Sequence, residues 1–366
     1  MGSAIASKPK HSIETVDRAQ LDAFLGKMVS DLGAGMSAAL VLIGDELGLY
    51  KALGNSETAL TPEELATKTS TDPRYVREWL AAQAASGYVN YDAAAKRYSM
   101  SPEQSLALAW DDIPVHMPGA FQIVSSVIKD QHKISEAFRA GTGVGWHEHH
   151  PALFEGTERF FRPNYAANLI NNWIPALKGV KEKLERGALV ADVGCGHGSS
   201  TILMAQAYPK SKFIGFDYHQ GSIEKARQRA EAAGVGDRAT FQVGFAKEFP
   251  GKDYDLVTFF DCLHDMGDPE GASRHVLSTL AKDGTWMIVE PFANDDVKDN
   301  LNPVGRVFYS ASTMICTPAS RAQEVGAALG AQAGEGKIRE VVTKGGFKQF
   351  RRATETPFNL VFEAKP

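Results

Sequence analysis

Cysteine is scarce in this sequence of 366 residues, which contains three, at Cys195, Cys262 and Cys316. Their number is odd and their spacing does not match that of metal ligands. Neither a disulfide framework nor a cysteine-based zinc site is therefore indicated. We expect a protein of a reducing compartment, the cytoplasm.

Long apolar runs and strong net charge are missing as well. The most apolar early stretch, residues 36–43, is too short to span a bilayer, and residues 1–12 lack the apolar core of a secretion signal. With 39 basic against 44 acidic side chains, the formal net charge of -5 argues against a dominant nucleic-acid surface. We expect neither a membrane nor DNA as a partner.

The first hundred residues contain the signals of a winged helix. A flexible tail at 1–18 precedes apolar residues at helical spacing, which predict helices at 19–28 and about 33–53. Two more helices are predicted to begin where an N-cap residue, Thr61 or Asp72, is followed by a proline.

Two short strands, predicted at 88–91 and 97–100, follow these helices and form the wing. Together these elements predict a mainly helical winged-helix domain over residues 19–108, which we expect to serve in dimerisation.

Residues 109–180 form a predicted helical connector that is rich in aromatic side chains. We expect it to cap a substrate pocket, and its composition favours an apolar or aromatic acceptor over a charged one. The aromatic residues are Trp110, Phe121, Phe138, Trp146, Phe154, Phe160, Phe161, Tyr165 and Trp173.

The remaining residues, 181–366, alternate between apolar runs that end in polar residues and amphipathic stretches. This alternation predicts an α/β domain with a Rossmann-like, doubly wound parallel sheet. A final hairpin at 347–354 and 358–363 is predicted to complete the sheet in antiparallel fashion. Parallel strands are predicted at 189–192, 213–217, 239–243, 256–261 and 286–290.

A glycine-rich turn follows the first of these strands, with Asp192 before Gly194, Gly196 and Gly198. Glycine lets the backbone turn tightly and approach a ligand. The G-x-G-x-G spacing differs from that of dinucleotide-binding folds, and Asp192 suits the ammonium of a methionine group better than a pyrophosphate. Asp217, which ends the second strand, is placed to bind both ribose hydroxyls of an adenosyl group.

With these motifs, the C-terminal half resembles class I S-adenosylmethionine-dependent methyltransferases. With its winged helix, the chain is similar to small-molecule O-methyltransferases that dimerise through their N-terminal domains. It also resembles bacterial two-domain methyltransferases sometimes labelled transcriptional regulators, of which the segments 302–306 and 329–335 are typical. The resemblance implies S-adenosylmethionine as cofactor, lined by the three glycines and held at the ribose by Asp217, in a homodimer.

The segment after the third strand departs from the family pattern. These enzymes commonly have Gly-Asp there, and the acid contacts the adenine amine, whereas this chain has Gly244-Phe245. Phe245 either packs on the adenine face or belongs to the core. We expect Gly244 and Phe245 to contact the cofactor, which leaves recognition of the adenine amine open.

A candidate catalytic stretch follows the fourth strand, beginning at Asp261 and including His264. Open α/β sheets bind ligands at the carboxyl ends of their strands, so Asp261 is expected beside the cofactor. The stretch is similar to the Leu-His-Asp-x-x-Asp of plant-type O-methyltransferases, which implies that His264 is the general base and that Glu290 orients it. The alternative is a structural histidine, with methyl transfer relying on proximity alone.

Three of the four residues at 147–150 are histidines, and such a cluster suggests a metal site at first sight. Its spacing does not match H-E-x-x-H, and neighbouring residues point to different sides. We favour a solvated or pocket-lining loop and expect no metal.

Two functional hypotheses follow. The first is O-methylation of a small, apolar or aromatic acceptor. The alternative is a winged-helix transcriptional regulator that uses the methyltransferase fold to sense a ligand. Its recognition helix, at 72–86, offers Arg74 and Arg77 but no dense basic face, so dimerisation is favoured over DNA binding.

Overall fold

The computed structural model describes residues 12–111 and 113–366. The first eleven residues of the predicted tail at 1–18 lie outside this part. The chain divides into two compact units, Met1–Trp110 and Asp111–Pro366, so the predicted connector falls almost entirely within the second unit.

The first unit has the helix, helix and wing pattern that its sequence predicts. Thr61 and Asp72 both cap helices as expected, since each side chain accepts hydrogen bonds from backbone N–H groups of the first turn. The elements are α1 (Arg18–Glu46), α2 (Leu49–Gly54), α3 (Pro62–Thr69), α4 (Pro73–Ala85), β1 (Asn90–Asp92), β2 (Arg97–Ser99) and α5 (Pro102–Leu108).

Helix α1 corrects the prediction of two separate helices at 19–28 and 33–53. It continues through Gly33 and Gly35, and the chain turns only at Gly48, whose φ is 69°. One face of α1 remains exposed although it is apolar. By length and composition alone, this helix also meets the requirements for crossing a membrane. The exposed apolar residues are Phe24, Leu25, Met28, Val29, Leu32, Met36 and Ile43.

The second unit begins with helices that form the predicted connector. A π-helical turn, Leu169–Trp173, joins α8 to α9, and a short 3-10 turn, Trp146–Glu148, precedes α8. The helices are α6 (Pro118–Lys129), α7 (Gln131–Ala140), α8 (Ala152–Asn168), α9 (Ile174–Ala176) and α10 (Val180–Arg186).

The rest of the second unit is a seven-stranded sheet with the order β5-β4-β3-β6-β7-β9-β8, in which β9 runs antiparallel to both of its neighbours, β7 and β8. This confirms the predicted α/β fold. The elements are β3 (Leu189–Val193), α11 (Ser199–Ala207), β4 (Lys212–Asp217), α12 (Gln220–Ala232), β5 (Ala239–Val243), β6 (Tyr254–Phe260), α13 (Pro269–Thr279), β7 (Leu280–Pro291), α14 (Pro303–Ala311), α15 (Thr317–Arg321), α16 (Gly334–Lys344), β8 (Gln349–Glu355) and β9 (Asn359–Lys365).

The central strands β3, β6 and β7 are buried on both faces, which explains their nearly continuous apolar sequences. Helices cover each face and form two apolar clusters, centred on Trp173 and Trp286. The strand order reverses between β3 and β6, and the loops at their carboxyl ends diverge there. An open α/β sheet binds its ligands at such a point.

Candidate cofactor and substrate site

A cavity of ≈ 650 Å³ lies at the carboxyl ends of β3, β4, β5 and β6. The polar part of its wall comes from the glycine turn and the strand ends, and the aromatic part comes largely from the connector. Trp146, Phe154, Phe161 and Tyr165 from the connector and Phe260 from β6 form the aromatic wall. The predicted capping role of the connector therefore has a geometric basis.

The glycine turn needs glycine for two different reasons. All three glycines have positive φ: 75° at Gly194, 51° at Gly196 and 79° at Gly198. A Cβ on Gly194 would lie 2.8 Å from Cys262 Sγ, and one on Gly198 would lie 2.8 Å from the Phe241 ring. At Gly196 nothing lies within 4 Å of such a Cβ. This glycine therefore leaves space for a ligand against the backbone.

Asp217 lines the cavity beside this turn. Its Oδ2 accepts a hydrogen bond from the Gly196 N–H at 3.0 Å, and its Oδ1 accepts one from the His219 N–H at 2.9 Å. Burial raises the pKa of Asp217. A carboxylate accepts about four hydrogen bonds, so this one retains capacity for two further donors, as a ribose diol requires.

Asp192 does not line the cavity, which changes the role predicted for it. The side chain is fully buried, and its Oδ2 accepts hydrogen bonds from the Ser200 and Thr201 hydroxyls at 2.7 and 2.6 Å. Its Oδ1 accepts one from the Thr258 hydroxyl at 2.9 Å. The predicted contact with a methionine ammonium is therefore corrected to an indirect role, in which Asp192 ties β3 to α11 and β6.

Asp261 reaches the cavity from the end of β6 with a φ of 49°, a strained value for a residue other than glycine. The Tyr165 hydroxyl donates to its Oδ2 at 2.8 Å, and Asn359 Nδ2 donates to its Oδ1 at 2.9 Å. Burial, reinforced by the charge of Glu290, raises the pKa of Asp261 to about 7. A cationic ligand beside it would stabilise the ionised form.

His264 and Glu290 meet as predicted, with 2.6 Å between His264 Nδ1 and Glu290 Oε2. On the other side of the ring, Nε2 lies 3.2 Å from Asp265 Oδ1. Burial opposes the charged form of the imidazole, but the Glu290 and Asp265 carboxylates outweigh it and raise the pKa of His264. The two carboxylates therefore favour the protonated form of the ring.

Asp265 lines the cavity, whereas the side chain of His264 is only 4% exposed and lies behind it. Trp146 Nε1 donates to Asp265 Oδ2 at 2.9 Å and fixes the carboxylate from the connector side. Direct proton abstraction by His264 stays a prediction, and the geometry also offers an arrangement in which the imidazole acts through Asp265. The sequence signal for Asp265 was its place within the same Leu-His-Asp stretch.

Phe245 lines the cavity, so the structure favours the ligand-facing interpretation of this residue over the core one. Its side chain is 53% exposed, and its ring lies nearly parallel to that of Tyr218, at 19° with 6.3 Å between centroids. The Gly244 N–H donates to the Asp217 carbonyl at 3.1 Å and brings the two segments together. Sequence reasoning missed Tyr218, although it directly follows Asp217.

The histidine cluster at 147–150 has a structural role. His149 is buried, and its Nδ1 lies 3.1 Å from Asp130 Oδ2, which also accepts the His150 N–H at 2.7 Å. Lys133 pairs with Asp130 Oδ1 at 2.7 Å. These bonds hold the turn that carries Trp146 against α7.

Known family models match the N-terminal and C-terminal parts of the chain separately. Residues 184–346 match the family model of a methyltransferase domain, and residues 35–110 match that of an Rv2258c-like winged HTH domain. Among curated proteins, O-demethylpuromycin-O-methyltransferase of Streptomyces alboniger is 24% identical over 352 residues, covering 90% of this chain and 86% of that protein. A ubiquinone biosynthesis O-methyltransferase of Bordetella avium is 34% identical over 133 residues, but the match spans only 52% of its length.

Solved structures share the fold over nearly the whole chain. A mitomycin 7-O-methyltransferase superposes with a TM-score of 0.70 at 17% identity, covering 96% of this chain and 100% of that one. Human N-acetylserotonin methyltransferase, solved with S-adenosylmethionine, has a TM-score of 0.69 at 15% identity, covering 100% and 99%. At these identities the likeness establishes the fold.

Proposed function

We propose that this chain, an S-adenosylmethionine-dependent methyltransferase with an N-terminal Rv2258c-like winged HTH domain, methylates a hydroxyl group of a small, largely apolar or aromatic acceptor. The observation that carries the proposal is one cavity in which the glycine turn and Asp217 face an aromatic wall. Such a cavity suits a nucleoside cofactor and an apolar acceptor side by side. Relatives named for methylation on oxygen support the choice of atom.

The cofactor fits the polar half of the cavity. Gly196 leaves open space against the backbone, and Asp217 retains acceptor capacity for the ribose hydroxyls. Asp261, rather than Asp192, is the carboxylate that faces the methionine ammonium, since it is the one of the two that lines the cavity. When bound, S-adenosylmethionine supplies an electrophilic methyl group on its sulfonium.

The chain's own contribution to transfer is alignment and exclusion of water. The aromatic wall presents faces and edges that hold an apolar acceptor in one orientation. Tyr165 links this wall to Asp261 through its hydroxyl, so the acceptor side and the cofactor side are held in a fixed relation.

Asp265 is the group that we place next to the acceptor hydroxyl. As the new carbon–oxygen bond forms and the sulfur–carbon bond breaks, the hydroxyl proton becomes strongly acidic. Asp265 can therefore receive it, even though the effect of burial on its carboxyl is outweighed by the charge of His264, which holds the pKa of Asp265 below its usual range. His264 and Glu290 are positioning residues, because neither lines the cavity and His264 lies beside Asp265, which does. The Trp146 indole sets the other side of the carboxylate.

Binding calorimetry with S-adenosylmethionine and S-adenosylhomocysteine tests the cofactor part of this proposal. We expect binding by the wild type and a loss of at least tenfold in Asp217→Ala, since two hydrogen bonds to a carboxylate disappear. The acceptor part is tested with a panel of hydroxylated aromatic metabolites and mass-spectrometric detection of the methylated product. Failure of the wild type to bind either cofactor would refute the proposed activity altogether.

The regulator hypothesis loses support from the ion pairs of the winged helix. Arg74 pairs with Glu78 and Arg77 with Glu63, each at 2.6 Å, and on the wing Arg97 pairs with Glu64 at 2.7 Å. These arginines are the ones a DNA phosphate would need, and each already faces a carboxylate. We therefore retain the enzyme as the proposed function and expect no salt-dependent shift of duplex DNA.

We further propose that the enzyme is a cytoplasmic homodimer joined through the exposed apolar face of α1. The helix carries the ion pairs Arg18–Asp22 and Lys27–Asp31, the latter at 2.7 Å, within its first half. A bilayer would have to desolvate these charges, whereas a second copy of the helix leaves them at the rim of the interface. A partner chain therefore fits this face better than a membrane does.

A further inference from the structure

The rim of the cofactor cavity carries two exposed aromatic rings, of which Phe245 stands at the position where the family pattern has an acid. Tyr218 is 37% exposed and Phe245 is 53% exposed, and their rings lie nearly parallel with 6.3 Å between centroids. Tyr218 directly follows the carboxyl end of β4, and Phe245 follows Gly244, the first residue after β5. Both rings line the cavity that contains Asp217.

Contacts with other residues hold the two rings in place. The Tyr218 ring is held from behind by the edge of the His147 ring, with 6.2 Å between centroids. The β4–β5 pairing and the Gly244 N–H bond to the Asp217 carbonyl fix the distance between the two segments. Flat π-faces nearly parallel to each other suit a planar heterocycle, which stacks on such surfaces regardless of its hydrogen-bonding pattern.

Acidic groups near this rim are largely committed to other partners. Asp268 caps α13 by accepting the Gly271 N–H at 2.8 Å, and Glu324 pairs with Lys247 at 2.8 Å. Glu248 is an exposed acid of the same rim. It is therefore the residue that a test must control for.

We propose that Tyr218 and Phe245 form an aromatic clamp that holds the adenine of the cofactor by stacking, without a side-chain acceptor for its exocyclic amine. This inference rests on the proposed function, since it concerns the same cofactor. It predicts an unusual specificity: the protein binds cofactors with an altered base almost as well as the natural one. A hydrogen bond from the amine to a carboxylate would instead contribute about 10- to 150-fold in affinity.

The test is calorimetric titration with S-adenosylhomocysteine and with S-inosylhomocysteine, in which a carbonyl oxygen replaces the amine. We expect the wild type to bind both within about threefold of each other. Phe245→Leu should weaken both by a similar factor of about 5- to 150-fold, the contribution of one base–aromatic stack. Phe245→Asp restores the family's acid and should favour the adenine compound by at least about tenfold.

Phe138→Leu is the matched control, since Phe138 is 73% exposed on α7 and does not line the cavity. Its binding of both compounds should equal that of the wild type. Thermal melting of each variant confirms that it is folded.

Two outcomes overturn the clamp. Wild-type discrimination of more than tenfold shows that an acceptor for the amine exists, and loss of that discrimination in Glu248→Gln identifies it. Unchanged affinities in Phe245→Leu show that no stacking occurs at this ring. By contrast, absence of S-adenosylhomocysteine binding in the wild type refutes the proposed function itself, so the two failures are distinguishable.

Discussion

Asp265 stands between His264 and the cavity: its Oδ1 lies 3.2 Å from the imidazole Nε2, and its Oδ2 accepts the Trp146 indole N–H at 2.9 Å. Asp265 lines the cavity, and His264 does not. We therefore propose that the acid of the Leu-His-Asp stretch, rather than its histidine, is the residue next to the acceptor.

Substitution of Asp265 and of His264 should therefore affect turnover without affecting cofactor binding. We expect Asp265→Asn to lower kcat by about 100-fold and His264→Gln by about 10-fold, since a positioning residue costs less than the group it positions. The affinity for S-adenosylhomocysteine should stay within about twofold in both. His132→Gln, on the exposed surface of α7, is the matched control. A larger loss for His264→Gln than for Asp265→Asn would instead make His264 the direct base.

Cofactor affinity should rise with pH because of Asp261. Its pKa of about 7 in the free protein means that it is mostly protonated at pH 6, and it must ionise to pair with an ammonium. Affinity for S-adenosylhomocysteine is expected to increase up to about tenfold per pH unit below 7 and to level off above it. Calorimetry between pH 5.5 and 7.5 measures this. Asp261→Asn should give a weaker affinity that is independent of pH. If the affinity of this variant instead rose with pH as steeply as that of the wild type, Asp261 would not be the group that titrates.

Two glycines with positive φ, of which one lines the cavity, separate folding from ligand binding. Gly196 and Gly179 have φ values of 51° and 75°, and a Cβ added at either position would have no other atom within 4 Å. Alanine at either should cost about 1–2 kcal/mol in unfolding free energy. Only Gly196→Ala should weaken S-adenosylhomocysteine binding by more than about tenfold, because only Gly196 lines the cavity. Equal affinities of the two variants in calorimetry would place the cofactor elsewhere.

The proposed dimer interface on α1 can be tested through the oligomeric state. Leu32 is 68% exposed at the middle of the apolar face, so Leu32→Glu should convert the dimer to a monomer by placing an unpaired charge in the interface. Light scattering coupled to size exclusion measures the mass. Val297→Glu, at a residue that is 63% exposed in the second unit, should remain dimeric. A wild type that is monomeric in solution would refute the proposed interface.

The strands and the site turn were predictable because their signals are local. The apolar run before Asp192 and the spacing to Asp217 depend only on neighbouring residues, and both lie where the pattern indicated. The direction of a side chain is not local. Asp192 turns into the fold because three hydroxyl donors meet there, one of them from Thr258, 66 residues away. No spacing within the motif contains that information.

The sequence also failed to predict the roles of Asn359 and Tyr218, because their contacts lie far away in the chain. Asn359 bonds Asp261 across 98 residues, and Tyr218 matters only because Phe245 folds beside it. The continuity of α1 was missed for another reason. Glycine costs a helix about 1 kcal/mol per residue, and the good helix formers around Gly33 and Gly35 outweigh that cost.

The Trp146–Asp265 hydrogen bond joins residues that are 119 positions apart in the chain. Contacts of such long sequence separation form late in folding, because the intervening loop must close first. Helical structure in the connector is expected to form earlier, since its contacts are local. On refolding from denaturant, recovery of methyl transfer should therefore lag behind recovery of the circular dichroism signal. We thus expect the proposed acceptor site to be among the last features of the molecule to form.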